Sequence, residues 1–254
     1  MVVSWGVRCR LAFAIFLACA MGSVQQDAHA DDEKNFLVVI DPGHGGNNTG
    51  APGVGGVHEK EFTLALASRL KDILKAADIR VVLTRTDDKF LSLRERTAVA
   101  NRVGADLFVS LHANASPSHN RRGFETFVLS PEAVAIDAPA LRPPGNNRSR
   151  MQADSDEISA VLESWQREHS VERAVTLSRM VQKEIEQTRG KKFNRGAKQS
   201  SMHVLLGAQM PAVLIEVGFI DHPKEGMELQ DPEVQNQLSA AIAKAISKFL
   251  ATTL

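Results

Sequence analysis

Short, β-branched apolar runs alternate along this chain with longer stretches of helical periodicity, and that alternation most limits what it can fold into. NFLVVID (35–41), IRVVLTR (79–85), DLFVSLH (106–112), GFETFVLS (123–130) and MPAVLIEVGF (210–219) read as strands. Between the first two, KEFTLALASRLKDILKA (60–76) puts Phe62, Leu66, Leu70, Ile73 and Leu74 on one helical face. Leu91 to Val103 reads as a second helix, and a long helical stretch covers about 156–187 with a kink near His169-Ser170. VQNQLSAAIAKAISKFL (234–250) closes the pattern as a final helix. Strands separated in this way by helices predict an α/β fold. It would be a single domain with an open, mostly parallel (mixed) twisted sheet and helices on both faces. Ligands of such sheets bind beyond the carboxyl ends of the strands.

With 254 residues, 43% of them hydrophobic, the chain can bury the core of one such domain. Its formal net charge of zero carries no basic footprint for nucleic acid. Residues 1–30 read as a secretory signal peptide. Arg8 and Arg10 precede the apolar run LAFAIFLACAMG (11–22), and Ala28-His29-Ala30 offers an A-x-A cleavage site. The run is too short for a transmembrane helix, so 31–254 is expected as an exported chain, periplasmic or extracellular, without stable membrane insertion. Phe16 and Leu17 fit a lipobox at Cys19 poorly, which favours cleavage after Ala30 over lipidation. Cys9 and Cys19, the two cysteines, both lie in that leader. A metal site in 31–254 would therefore consist of His and carboxylates, as in catalytic rather than closed structural zinc. Residues 131–165 interrupt the rhythm with Pro131, Pro139, Pro143, Pro144 and Gly145, and read as an insertion or regulatory segment of the 31–254 domain.

Four residues stand where such a fold places chemistry. His44 follows the first strand within Pro42-Gly43-His44-Gly45-Gly46, a segment that lacks both G-x-G-x-x-G and the G-K-[ST] ending of a phosphate loop. Glu59 opens a helix, where a carboxylate also suits the helix dipole; His58 and Glu61 beside it compete as ligands by type. Phe62 stands where H-E-x-x-H would need its second His, which excludes that arrangement. His112 ends an apolar strand and is followed by the small, polar run Ala113-Asn114-Ala115-Ser116. Glu216 sits inside VLIEVGF, where an unpaired carboxylate is costly, so it is ion-paired or functional. Near a metal it would serve as general base. Asn114, Arg85, Arg96 and Lys198 are candidates for holding a polar substrate, with structural ion pairs the alternative for Arg85 and Arg96. His203 stays open as a site residue because it directly precedes the apolar run Val204-Leu205-Leu206.

These segments, taken in order, resemble the zinc-dependent N-acetylmuramoyl-L-alanine amidases of the Amidase_3 family, cell-wall hydrolases. The resemblance runs over nearly all of 36–250 and includes DPGHGG, Glu59-Lys60, Leu83-Thr84-Arg85-Thr86, Leu93 to Arg96, Leu111-His112-Ala113-Asn114 and Ile215-Glu216-Val217-Gly218-Phe219. It implies that His44, Glu59 and His112 hold Zn²⁺ and that Glu216 is the catalytic carboxylate. The bond cut would be the amide between the lactyl group of N-acetylmuramic acid and L-alanine of peptidoglycan, in cell separation or wall turnover. Some relatives carry a helix that covers the zinc until a protein activator displaces it; here Glu157 or Glu163 would be the candidate inhibitory ligand, with a solvated helix face the favoured alternative. Two other readings remain at this level: a zinc peptidase or deacetylase acting on other amides, and a degenerate domain that only binds peptidoglycan.

Overall fold

A computed structural model describes residues 36–134 and 150–252, the side chains of 150–161 and 163 excepted. Its strands are β1 (Leu37–Pro42), β2 (Arg80–Leu83), β3 (Leu107–Asn114), β4 (Phe124–Leu129), β5 (Asn194–Ser200) and β6 (Ala212–Phe219). Its helices are α1 (Glu59–Ala76), α2 (Leu93–Arg102), α3 (Arg150–Arg189), α4 (Glu225–Gln230) and α5 (Pro232–Ala251). The strands form one sheet in the order β2-β1-β3-β6-β4-β5. Pairing is parallel throughout except between β4 and β6. The expected α/β class and mixed sheet are therefore what the chain forms.

The two faces of the sheet are covered unequally. Val38, Ile40, Leu107, Val109, Leu111, Val213, Ile215 and Val217 point to one face and pack under α1, α3 and α5. Alternate residues, among them Val39, Phe108, Ala212 and Leu214, point to the other. There they meet Ala100 of α2 and Val204 and Leu205 of a 3₁₀ turn over His203–Leu205. One face thus has three long helices and the second a lighter cover. The lighter face is where polar residues of the strands emerge.

Helix starts follow local chemistry. Ser92 caps α2, receiving Glu95 N on its hydroxyl while Glu95 Oε2 receives Ser92 N. Asp231 caps α5, with Pro232 at the first helical position. The helix expected over 156–187 is longer, Arg150–Arg189, and runs as one continuous element through His169-Ser170. It takes up part of the 131–165 interruption, of which 135–149 lies outside the described residues. Residues 1–30 lie outside them as well, and no described helix is long and apolar enough to cross a membrane.

Two elements escaped the sequence pattern. Strand β5, NRGAKQS, is a polar edge strand paired only with β4, so it needs no apolar run. Helix α4 is short and owes its place to Glu225, a buried carboxylate that accepts Gly123 N and Phe219 N and pairs with Arg189. Glu225 thereby joins the start of β4, the end of β6 and the end of α3.

The end of β1 is held by a buried ion pair. Asp41 is fully buried and accepts Arg96 Nη1 at 2.8 Å, Thr84 Oγ1 at 2.6 Å and Ser110 Oγ at 2.8 Å. Arg96→Met would leave Asp41 with hydroxyl donors alone. The expected loss is about 3–5 kcal/mol, the usual cost of orphaning one partner of a buried pair, measured as a lower urea midpoint at unchanged slope.

Candidate metal centre

Immediately after β1 the chain turns with His44 in the left-handed region, φ 63°. A non-glycine residue stays there only when its surroundings hold it. Two arginines do so by binding backbone carbonyls. Arg85 donates to the oxygens of Pro42, Gly43, Lys60 and Asp87, at 2.8 to 3.0 Å. Arg96 donates to those of Pro42, His44 and Leu91. Both guanidiniums are buried, so the substrate role weighed for Arg85 and Arg96 gives way to a scaffolding one. Arg96 makes the ion pair that was the alternative, and Arg85 bonds to backbone.

The turn brings His44 beside Glu59, the first residue of α1. His44 Nε2 lies 2.9 Å from Glu59 Oε2, and His112 Nδ1 lies 2.9 Å from Glu59 Oε1. Ala51 N and Ala113 N donate to the same two oxygens at 2.9 and 3.1 Å. The imidazole rings meet edge to face, 5.0 Å between centroids at 77°. His44 Nδ1 bonds Asn48 Oδ1 at 2.9 Å, which directs Nε2 inward. Burial would raise the Glu59 pKa, but hydrogen bonds from His112 and His44, with their charges, hold it well below the usual carboxylate range. For His112, burial pushes the pKa down and the carboxylates of Glu59 and Glu216 outweigh it, leaving it raised.

Among the described residues, His44, Glu59 and His112 form the group able to hold a metal ion, one ligand atom from each lying within 4.8 Å of the others. The competing neighbours are occupied differently: Glu61 accepts His58 N at 3.1 Å at the helix start, and His58 is not in the cluster. Two nitrogens and one carboxylate suit zinc better than magnesium or calcium, which prefer oxygen alone. The donor separations are those of hydrogen bonds, so an ion would replace the shared protons. The side chains of Glu157 and Glu163 lie outside the described residues.

Glu216 stands directly opposite His112 in the β3–β6 register, on the same face. Its Oε2 is enclosed and has no hydrogen-bond partner. Desolvation pushes its pKa up to about 7; the charge of His112 pulls it down, and the lesser charges of Glu59 and Glu125 push it up. Asn114, weighed as a substrate contact, gives Nδ2 to Glu125 Oε1 at 2.8 Å. Lys198 pairs with that same carboxylate. A cleft of about 320 Å³ opens beside His44 and His112, between Phe90–Arg96 and Met202–Val204, with Leu214 among its walls. His203 lines it, whereas His119 is held by Asp221 at 2.8 Å in a neighbouring loop.

Sequence reasoning missed Asn48, Glu125 and Arg195. Glu125 carried the signal that identified Glu216, since it too is a carboxylate within an apolar run, GFETFVLS. Arg195 carried none, because β5 was not recognised.

The family model for N-acetylmuramoyl-L-alanine amidase, Amidase_3, matches residues 38–248. This chain belongs to that family. It is 31% identical to the N-acetylmuramoyl-L-alanine amidase AmiA of Escherichia coli K12, over 84% of this chain and 75% of that one. AmiC2 of Nostoc punctiforme, a solved amidase, matches with TM-score 0.65 and 31% identity, over 85% of this chain and 98% of its own. The CwlD amidase of Clostridioides difficile, solved in complex with the GerS lipoprotein, matches with TM-score 0.67 and 25% identity, over 86% and 100%.

Two outcomes follow from this geometry. A Cβ added at Gly43 would lie 2.4 Å from the His112 ring, so Gly43→Ala should displace that ligand. Divalent-metal affinity, measured by chelator competition, is expected to fall about 10–100-fold while the far-ultraviolet circular dichroism is kept. The second concerns Glu216 in metal-free protein. Its folded pKa near 7 exceeds the ordinary 4.5, so the folded state binds this proton more tightly than the unfolded chain. Ionisation therefore costs stability, beginning near pH 4.5 and growing until about pH 7. Glu216→Gln removes that cost. The metal-free variant should melt higher than metal-free wild type at pH 8, and the difference should vanish towards pH 4.5.

Proposed function

We propose that this chain is a zinc-dependent N-acetylmuramoyl-L-alanine amidase that hydrolyses the amide between the muramic acid lactyl group and L-alanine of peptidoglycan. One observation carries the reading: in a chain of this family, three donors converge and one of them, His112, stands opposite a carboxylate with a free oxygen on the adjacent strand. Retention of all four groups weighs against a domain that only binds wall. Zinc fits the donor set of His44, Glu59 and His112. The chemistry such an ion supplies when bound is Lewis acidity: a polarised amide carbonyl and a lowered pKa for water.

The rest falls to the chain's own residues. Glu59, fixed by two backbone N–H groups, keeps its oxygens between the imidazoles, and Asn48 sets which nitrogen His44 presents. The cleft beside His44 and His112 admits the muramoyl-peptide. Glu216 takes the proton of the attacking water on Oε2 and returns it to the departing alanine nitrogen. A pKa near 7 suits both halves of that exchange. Export directed by residues 1–30 would place the enzyme in the periplasm or outside the cell, where wall is divided or turned over. A protein partner belongs to the same reading, as the CwlD relative was solved in complex with the GerS lipoprotein.

Purified peptidoglycan and mass spectrometry test this. Digestion should release stem peptides beginning with free L-alanine and leave unsubstituted glycan; products cut between amino acids would overturn the bond assignment. Chelation should abolish activity and zinc restore it. Glu216→Gln should keep the bound metal and lose about 10²–10⁴ in rate. Equal wall lysis by variant and wild type would exclude Glu216 as the base.

A further inference from the structure

The polar row across the sheet continues beyond Glu216. Glu125 of β4 lies opposite it in the antiparallel register and is buried. Its Oε1 receives Asn114 Nδ2, and its Oε2 receives Arg195 Nε at 2.9 Å and Lys198 Nζ. Two cations from β5 therefore share one carboxylate, leaving one positive charge in excess. Topology puts that excess at the site: β4 and β5 are parallel to each other, and β4 is antiparallel to β6. The start of β5 thus lies at the carboxyl end of β6.

Neither cation is fully engaged. Arg195 reaches Glu125 through Nε alone. Its two terminal nitrogens, the fork that matches a carboxylate, have no hydrogen-bond partner among the described residues. Lys198 uses one of three donors. Each is steadied by a ring, Arg195 over Phe219 at 5.2 Å and Lys198 over Phe127 at 5.4 Å. Their side chains are 30% and 39% exposed, so both remain in reach of solvent. Ordered, partly open donors in surplus over the local carboxylate form a receptor for an anion.

We propose that Arg195 and Lys198 form a subsite for a carboxylate on the peptide side of the scissile amide, with Glu125 as the positioning residue that holds both cations. The inference rests on the amidase reading. The muramoyl side presents a sugar and a lactyl acyl group, neither charged, whereas the stem peptide carries carboxylates. Glu216, which hands its proton to the departing amine, lies between the metal donors and these cations. The leaving peptide therefore extends over β4 and β5.

The probes are one muramoyl-peptide prepared with its stem carboxyls free and again with them amidated. The zinc-loaded wild type should prefer the free form by about tenfold in kcat/KM, chiefly through KM. Lys198→Met and Arg195→Gln should each shrink that preference, through a larger loss on the free probe than on the amidated one, and Lys198→Arg should retain it. Titration of the free stem peptide onto Glu216→Gln protein, followed by NMR, gives a readout without turnover. Adding Lys198→Met, a half-exposed edge-strand change expected to fold, should weaken that binding. Wild-type indifference to amidation, or equal losses on both probes, would overturn the subsite. Wild-type failure to cleave either probe would count against the amidase reading, while peptide binding unchanged by Lys198→Met would count against the subsite alone.

Discussion

The buried pair of Asp41 and Arg96 is the interaction on which the centre depends. It joins the end of β1 to α2, and the same guanidinium continues to the carbonyls of Pro42, His44 and Leu91. Arg85 completes the grip from the β2 side. Carbonyls turned inward onto guanidinium donors are satisfied without regular structure, which lets a glycine-rich loop be rigid. Rigidity is what His44 needs, since its left-handed backbone would relax in a mobile loop. The adjoining glycines serve approach as much as turning. A Cβ at Gly43 would strike the His112 ring, and one at Gly50 would lie 2.6 Å from Glu59 Oε2.

Three carboxylates then lie close together, and the chain treats each differently. Glu59 has two imidazoles, two backbone N–H groups and the start of a helix, so it is held ionised. Glu125 has Asn114 and two cations. Glu216, between His112 and Glu125 in the sheet, has a free oxygen and two like charges. Its pKa is raised chiefly because it is buried without compensation, with the two like charges adding to that. Compensating both neighbours leaves one group able to gain and lose a proton near neutrality.

Much of this was legible in the sequence, for a physical reason. Buried strands need continuous apolar runs, so β1, β3 and β6 announce themselves, and a carboxylate in such a run, as at Glu216, stands out against its neighbours. His44 and His112 are legible because a parallel sheet presents ligands at its strand ends. Arg85 and Arg96 show the limit. Their positions beside the motif were visible, but whether a guanidinium faces a ligand or a carbonyl depends on how the loop folds over it. Glu125 was visible by the same rule as Glu216 and was passed over. β5 was not visible at all, since a strand paired on one side and facing water on the other has no burial pattern to betray it.

That polar edge has a consequence for the chemistry. An edge strand needs charge to discourage pairing with another chain, and lysine is a common means. In this fold the edge begins at the carboxyl end of β6, because β4 reverses direction beside it. The charges that protect the edge are thereby brought within reach of Glu125, and through it of Glu216. An apolar β5 would expose the edge and leave Glu125 as a buried, unmatched carboxylate next to the proposed base. Its charge would raise the Glu216 pKa further. The requirement for a soluble edge and the requirement for a proton carrier tuned near neutrality therefore select the same residue types at Arg195 and Lys198.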